Sequence, residues 1–117
     1  IGKVTRGLKI LAKELDIPIF VLSQFNRGAN QRADQKPRLA DLRDSGSIEQ
    51  DADVVIAPHR DLMDDSKPTE MLVLKNRHGA TGSIYVTYRG SHFRFENFVG
   101  EIPVEQPKQR GFRAKPY

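Results

Sequence analysis

Two short apolar runs constrain this chain more than any other feature. Ile19-Phe20-Val21-Leu22 and Val54-Val55-Ile56-Ala57 show no alternation, and each abuts a proline, Pro18 before the first and Pro58 after the second. A strand with one face in water alternates apolar and polar residues. An uninterrupted run fits a strand buried on both faces, and such strands belong to parallel sheets covered by helices. A helical pattern precedes the first run: over residues 3–15, Val4, Leu8, Leu11 and Leu15 recur at i, i+4, i+7 and i+11 as one stripe. Asp16 and Pro18 stop it. Helix followed by buried strand is half of a βαβ unit, so the expected class is α/β with parallel strands.

Ser23–Pro37 is polar and about as long as a structureless loop gets in a compact domain, which marks it as functional or mobile. A short helical turn is expected over Leu39–Leu42. Ser47 and Gln50 then form an S-x-x-Q capping box for one more turn, ahead of the second buried strand, which Pro58 closes. Met71–Leu74, Ser83–Tyr88 and His92–Phe95 read as three short strands separated by His78-Gly79 and Arg89-Gly90, an antiparallel meander. The globular part is expected over residues 1–98. Residues 99–117 hold Pro103, Pro107 and Pro116 with little apolar content and are expected to be disordered.

A chain of 117 residues supports one core. Its net charge of +4 decides little, because the tail supplies +2 of it: four basic residues (Lys108, Arg110, Arg113, Lys115) against Glu101 and Glu105. The absence of cysteine removes disulfides, thiolate zinc sites and thiol nucleophiles together, and suits a reducing cytoplasm. No run approaches the roughly 18 apolar residues of a membrane span. The opening IGKVTRG has no initiator Met and reads as a fragment or processed product.

Three polar features are candidates for chemistry, each with a plainer alternative. Gln24 ends the first buried run, where open α/β sheets bind ligands, and its amide can donate to a phosphate while accepting from water. It equally suits a strand end bonded to its own loop. In Asp41-Leu42-Arg43-Asp44-Ser45-Gly46-Ser47, Gly46 permits close backbone approach and Arg43 supplies a charge beside free N–H groups, a phosphate-backbone clamp. The alternative is a capped turn with Arg43 paired to Asp41 or Asp44. Lys75 and Arg77, two apart on a strand, share a face that suits a polyphosphate, or merely flank a solvated turn. The chain has no G-x-x-x-x-G-K-[ST], and His59, His78 and His92 lack metal-ligand spacing. Alone, it is expected to hydrolyse no nucleotide.

The order of these segments carries a resemblance. LKILAKELDIPIFVLSQFNRG, KPRLADLRDSGSIEQDADVVIAPHRD and LVLKNRHGATGSIYVTYRGSHFRFENF together resemble the C-terminal half of the motor domain of DnaB-type replicative DNA helicases, over about residues 1–98. DLRDSGSIEQDAD is the most specific stretch. The resemblance implies a RecA-like (P-loop NTPase) core working as a ring of six, with ATP and Mg2+ bound between neighbours and single-stranded DNA in the central channel. It further implies a cytoplasmic protein at the replication fork, with a primase and a helicase loader as possible partners.

Residue by residue, Gln24 matches the glutamine that senses the γ-phosphate within its own subunit. Lys75 and Arg77 match the pair that reaches the adjacent subunit's nucleotide, and Arg43, Asp44 and Gly46 match the channel loop that grips DNA. Asp44 stands where Glu is common and Asn76 where Gln is common; Pro58 is unusual. The phosphate loop, its magnesium ligand and the catalytic carboxylate would lie upstream of Ile1. Two rivals stay open on sequence alone: a non-catalytic remnant that binds nucleic acid or protein, and another RecA-type ring ATPase.

Overall fold

The organised sheet of this chain is antiparallel throughout. The computed structural model describes residues 2–26 and 35–102. Four strands, β1 (Val54–His59), β2 (Thr69–Asn76), β3 (Gly82–Arg89) and β4 (Arg94–Asn97), lie side by side in sequence order. Helix α1 (Gly2–Leu15) packs against the short helix α2 (Ser45–Asp51), which follows a 3-10 turn at Leu39–Asp41. The α/β class and the C-terminal meander therefore stand, with strand bounds shifted by a few residues. The parallel pairing is absent among the described residues.

Helix α1 stops as its sequence requires. Asp16 takes the left-handed conformation (φ 53°) and the Ile17 N–H reaches back to the Ala12 carbonyl at 3.1 Å, the six-residue closure of a Schellman cap. Pro18 then prevents resumption.

The run Ile19–Leu22, expected as a buried strand, belongs to no sheet here, and Phe20 and Leu22 are 94% and 99% exposed. A strand of this type needs a hydrogen-bonded neighbour on each side. Among the described residues the segment's only ladder contact is a single bridge, Phe25 to Leu42.

The second run does form a strand, β1, but at the sheet edge and pairing only with β2. Ala57 is fully buried, whereas Val54 and Ile56 are half exposed. Pro58 lies inside the strand opposite Met71 rather than closing it; an edge strand tolerates a residue with no N–H to give.

The β1–β2 register shifts between Val55 and Ile56: Val55 pairs with Lys75 and Ile56 with Val73, so Leu74 has no partner on β1. Such a bulge bends a strand and re-aims the side chains beyond it, here Lys75. One end of the meander is secured by two sets of contacts. Tyr88 and Phe95, directly opposite in register, meet at a 43° tilt with ring centroids 5.0 Å apart, and the Arg60 guanidinium lies over Tyr88. At the same end Glu70, nearly buried, receives Lys36 Nζ at 3.1 Å and ties the segment before the 3-10 turn to β2.

The expected capping box is not formed. Helix α2 begins at Ser45, so Ser47 lies within it, and Asp44 is the N-cap, left-handed (φ 57°, ψ 39°) and without a side-chain cap bond. Residues 27–34 of the expected long loop, and the tail from 103 onward, lie outside the described residues.

Candidate functional site

Helix α2 organises the candidates, because one end begins in the Arg43–Gly46 loop and the other meets Lys75 and Arg77. A seven-residue helix is about 10 Å long and leaves its last carbonyls without helical partners. The Ala52 N–H takes the Ile48 carbonyl at 2.9 Å. Lys75 Nζ donates to the Glu49 carbonyl, and Arg77 Nη2 donates to the Gln50 carbonyl at 2.7 Å. Two cations thus complete the helix C-terminus, where its dipole favours positive charge.

Lys75 and Arg77 reach one body, as their spacing predicts, but neither projects freely into solvent. Arg77 Nη1 also pairs with Asp53 Oδ1 at 2.7 Å, and its backbone N–H binds the Asp53 carbonyl at 2.9 Å. Lys9 of α1 shares the same carboxylate oxygen at 2.5 Å. The Lys9 hydrogen bond, opposed by desolvation and aided by Coulombic attraction from Lys9, Arg77 and His78, holds the Asp53 carboxyl below the ordinary aspartate range. Asp53 and Lys9 were not singled out from sequence. The antiparallel register that sets Val54 against Asn76, and hence Asp53 beside Arg77, is the signal that finds them.

Arg43 is exposed and, among the described residues, pairs with neither Asp41 nor Asp44. Asp41 is instead buried and accepts from the Arg38 N–H at 2.8 Å, bracing the 3-10 turn. Gly46 sits in the first turn of α2 with open space where a side chain would be. The loop therefore presents a cation and an uncovered backbone on one side.

Gln24 lies at the end of the extended segment and is exposed. The Phe25–Leu42 bridge, with the Asn26 N–H on the Asp41 carbonyl at 2.7 Å, runs antiparallel, so Gln24 falls opposite Arg43. The structure brings Gln24 beside the Arg43 loop, and holds Lys75 and Arg77 at the far end of the helix that this loop starts.

The donor set fits one end of a nucleotide better than a metal. Arg77 uses two of its five N–H groups on Asp53 and Gln50, which leaves three for an incoming oxyanion. Among the described residues no three His, Asp or Glu side chains converge to hold a metal ion. No helix among them is long and apolar enough to cross a membrane.

Residues 1–97 match the family described as the DnaB-like helicase C terminal domain. The replicative DNA helicase DnaB of Leifsonia xyli is 47% identical over 104 residues, covering 85% of this chain and 23% of the relative. That of Pasteurella multocida is 43% identical over 109 residues, covering 89% of this chain and 23% of the relative. A solved DnaB-like replicative helicase, described with its interactions with primase, superposes with a TM-score of 0.77 at 34% identity, over 84% of this chain and 25% of that one. The chain spans about a quarter of the length of these relatives.

Proposed function

The chain belongs to the DnaB-like helicase C-terminal domain family, and from that premise we propose that it serves as the part of a replicative helicase motor that acts on a neighbouring subunit's ATP while gripping single-stranded DNA. The observation that carries this reading is the arrangement around α2. A loop with a free cation starts the helix, and a two-cation pair with spare N–H donors finishes it.

At the far end, Arg77 presents a planar fork to a phosphoryl group and Lys75 a compact point charge. Stabilising the charge that builds on a transferring phosphoryl group is the main task of such residues, and an arginine supplied from a neighbouring subunit suits it. Bound between subunits with Mg2+, ATP would supply the phosphoryl group; the residues holding the metal are not among those described. Gln24 would sense the γ-phosphate within its own subunit.

At the near end, Arg43 and the open backbone at Asp44–Gly46 contact DNA phosphates, which positions the strand and reads no sequence. Because Gln24 lies opposite Arg43, nucleotide state and DNA grip meet at a single bridge. The working assembly is a cytoplasmic ring of six, with a primase as partner.

The test is ATP turnover in a full-length helicase ring carrying this segment. Arg77→Ala is expected to abolish DNA-stimulated hydrolysis while weak nucleotide binding persists; unchanged turnover would remove the trans-acting role. The internal pair to Asp53 is no obstacle to that role. Exposed ion pairs contribute about 0–1 kcal/mol, far less than a polyphosphate offers a guanidinium.

A further inference from the structure

The contacts of Arg77 with its own chain call for an explanation beyond the cation itself. An arginine on a flexible stem reaches a phosphoryl group productively only if its guanidinium is held at the right place and angle, since small misplacements of a catalytic group cost large factors in rate. Arg77 meets that condition through one residue. Asp53 binds its guanidinium at 2.7 Å through the carboxylate and its backbone N–H at 2.9 Å through the carbonyl, fixing both ends of the side chain. The Gln50 carbonyl takes the other terminal nitrogen at 2.7 Å, which sets the plane of the fork.

A carboxylate beside such an arginine has a drawback, because it cancels the charge the arginine is there to supply. Lys9 removes the drawback. Its ammonium sits on the same Asp53 oxygen at 2.5 Å, so the Lys9–Asp53–Arg77 group carries a net +1. The group opens onto a cleft of about 200 Å3 bordered by four cations, Arg77 and, from α1, Arg6, Lys9 and Lys13, and by one carboxylate, Asp51. Among the described residues no ion pair occupies Arg6 or Lys13. The cleft is therefore electropositive and open to an anion. The three unused N–H groups of Arg77 remain available without breaking its internal bonds, so Asp53 orients the arginine rather than sequestering it.

We infer that Asp53 is the positioning residue of the trans-acting Arg77, and that Lys9 restores the charge Asp53 would otherwise neutralise. This rests on the reading of Arg77 given above, and the experiment separates the two. In a full-length helicase ring carrying this segment, steady-state ATP hydrolysis with saturating single-stranded DNA is measured for Asp53→Ala, Arg77→Ala and the double variant. Asp53→Ala is expected to lower kcat about tenfold with KM for ATP changed less than twofold. Because Asp53 acts only through Arg77, the double variant should be no slower than Arg77→Ala alone in the residual hydrolysis, read as single-turnover conversion over hours where steady-state turnover is lost. Asp53→Asn, whose carbonyl oxygen can still accept from the guanidinium, recovers part of the loss.

A merely structural role would lower the thermal midpoint and multiply with Arg77→Ala, and either normal kcat in Asp53→Ala or multiplicative losses overturn the inference. Loss of turnover in Arg77→Ala together with normal Asp53→Ala overturns the positioning role alone. Unchanged turnover in Arg77→Ala overturns the trans-acting reading itself and this inference with it. Should Asp53→Ala fail to assemble, Lys9→Met decides. It leaves the Asp53–Arg77 pair in place and should lower kcat two- to threefold, and an unchanged kcat there counts against the inference.

Discussion

At the scale of the residue, Asp44 shows how a small departure from a family pattern acquires a reason. Its position, where the resemblance would put Glu, is the N-cap of α2, and its backbone sits at φ 57°. A left-handed backbone is costly for most side chains and several-fold enriched in Asp and Asn, whose short polar groups bond locally. The shorter acid is thus the better-suited one for this backbone. Asp44→Asn should leave the urea midpoint of the segment nearly unchanged, whereas Asp44→Val, with a branched Cβ at positive φ, should lower its stability by roughly 1–2 kcal/mol. Equal midpoints for the two variants would show that the loop relaxes out of this conformation. Lys75 and Arg77 carry a complementary lesson. Their common face follows from a spacing of two, but their partners, the last carbonyls of α2 and the Asp53 carboxylate, are 24 to 27 residues away in sequence and leave no local mark.

At the scale of the element, residues 3–15 were legible as a helix and the region after residue 68 as a meander, because both are set by local periodicity and turn chemistry. The two apolar runs were legible as to type only. What such a run becomes depends on which strands lie beside it, and periodicity does not contain that information. Val54–His59 finds β2 and becomes an edge strand; Ile19–Leu22 finds no ladder partner among the described residues and joins no sheet. The capping box failed for a related reason: Asp44 caps the helix three residues earlier, and Ser47 is then an interior residue. Strand β2 itself depends on an ion pair that no pattern announces. Glu70, nearly buried beside Thr69, accepts Lys36 Nζ with its oxygens at 3.1 and 3.4 Å. Hydrogen bonds to charged groups contribute about 1.5–3 kcal/mol, and Glu70→Ala should lower stability by about that amount. Glu96, which pairs with Arg89 at 2.7 Å on the exposed β3–β4 hairpin, provides the contrast. Water and salt screen that pair, so Glu96→Ala should leave the urea midpoint almost unchanged. Comparable losses for the two variants would mean that burial is not what gives the Lys36–Glu70 pair its weight.

At the scale of the whole molecule, the distribution of apolar surface governs behaviour. The α1 stripe that periodicity assigns to a core is turned outward at Val4, Leu11 and Leu15, because α1 meets α2 through its polar side, where Thr5 Oγ1 donates to Asp51 at 2.7 Å. Phe20, Val21 and Leu22 are exposed beside it in sequence, and Val54, Ile56 and Ile84 add apolar area on the sheet. Among the described residues Leu42, Ala57 and Pro37 are the buried apolar ones. Contiguous apolar patches beyond a few hundred Å2 are rare on stable monomers, and burial returns about 25 cal/mol per Å2, so these faces favour any contact that covers them. The Ile19–Leu22 segment adds backbone donors and acceptors without ladder partners among the described residues, which template further pairing. Prepared by itself, the chain should therefore self-associate at micromolar concentrations and bind a hydrophobic dye, as read by light scattering and fluorescence. Replacing Phe20 and Leu22 together with Ser should shift it toward monomer while leaving the strand signal in far-ultraviolet circular dichroism, since neither residue belongs to the β1–β4 sheet. A wild-type chain that stays monomeric at high concentration would show that these faces close on themselves in solution. Association undiminished by the double substitution would move its cause to the α1 stripe, where Leu11→Ser and Leu15→Ser should then reduce it.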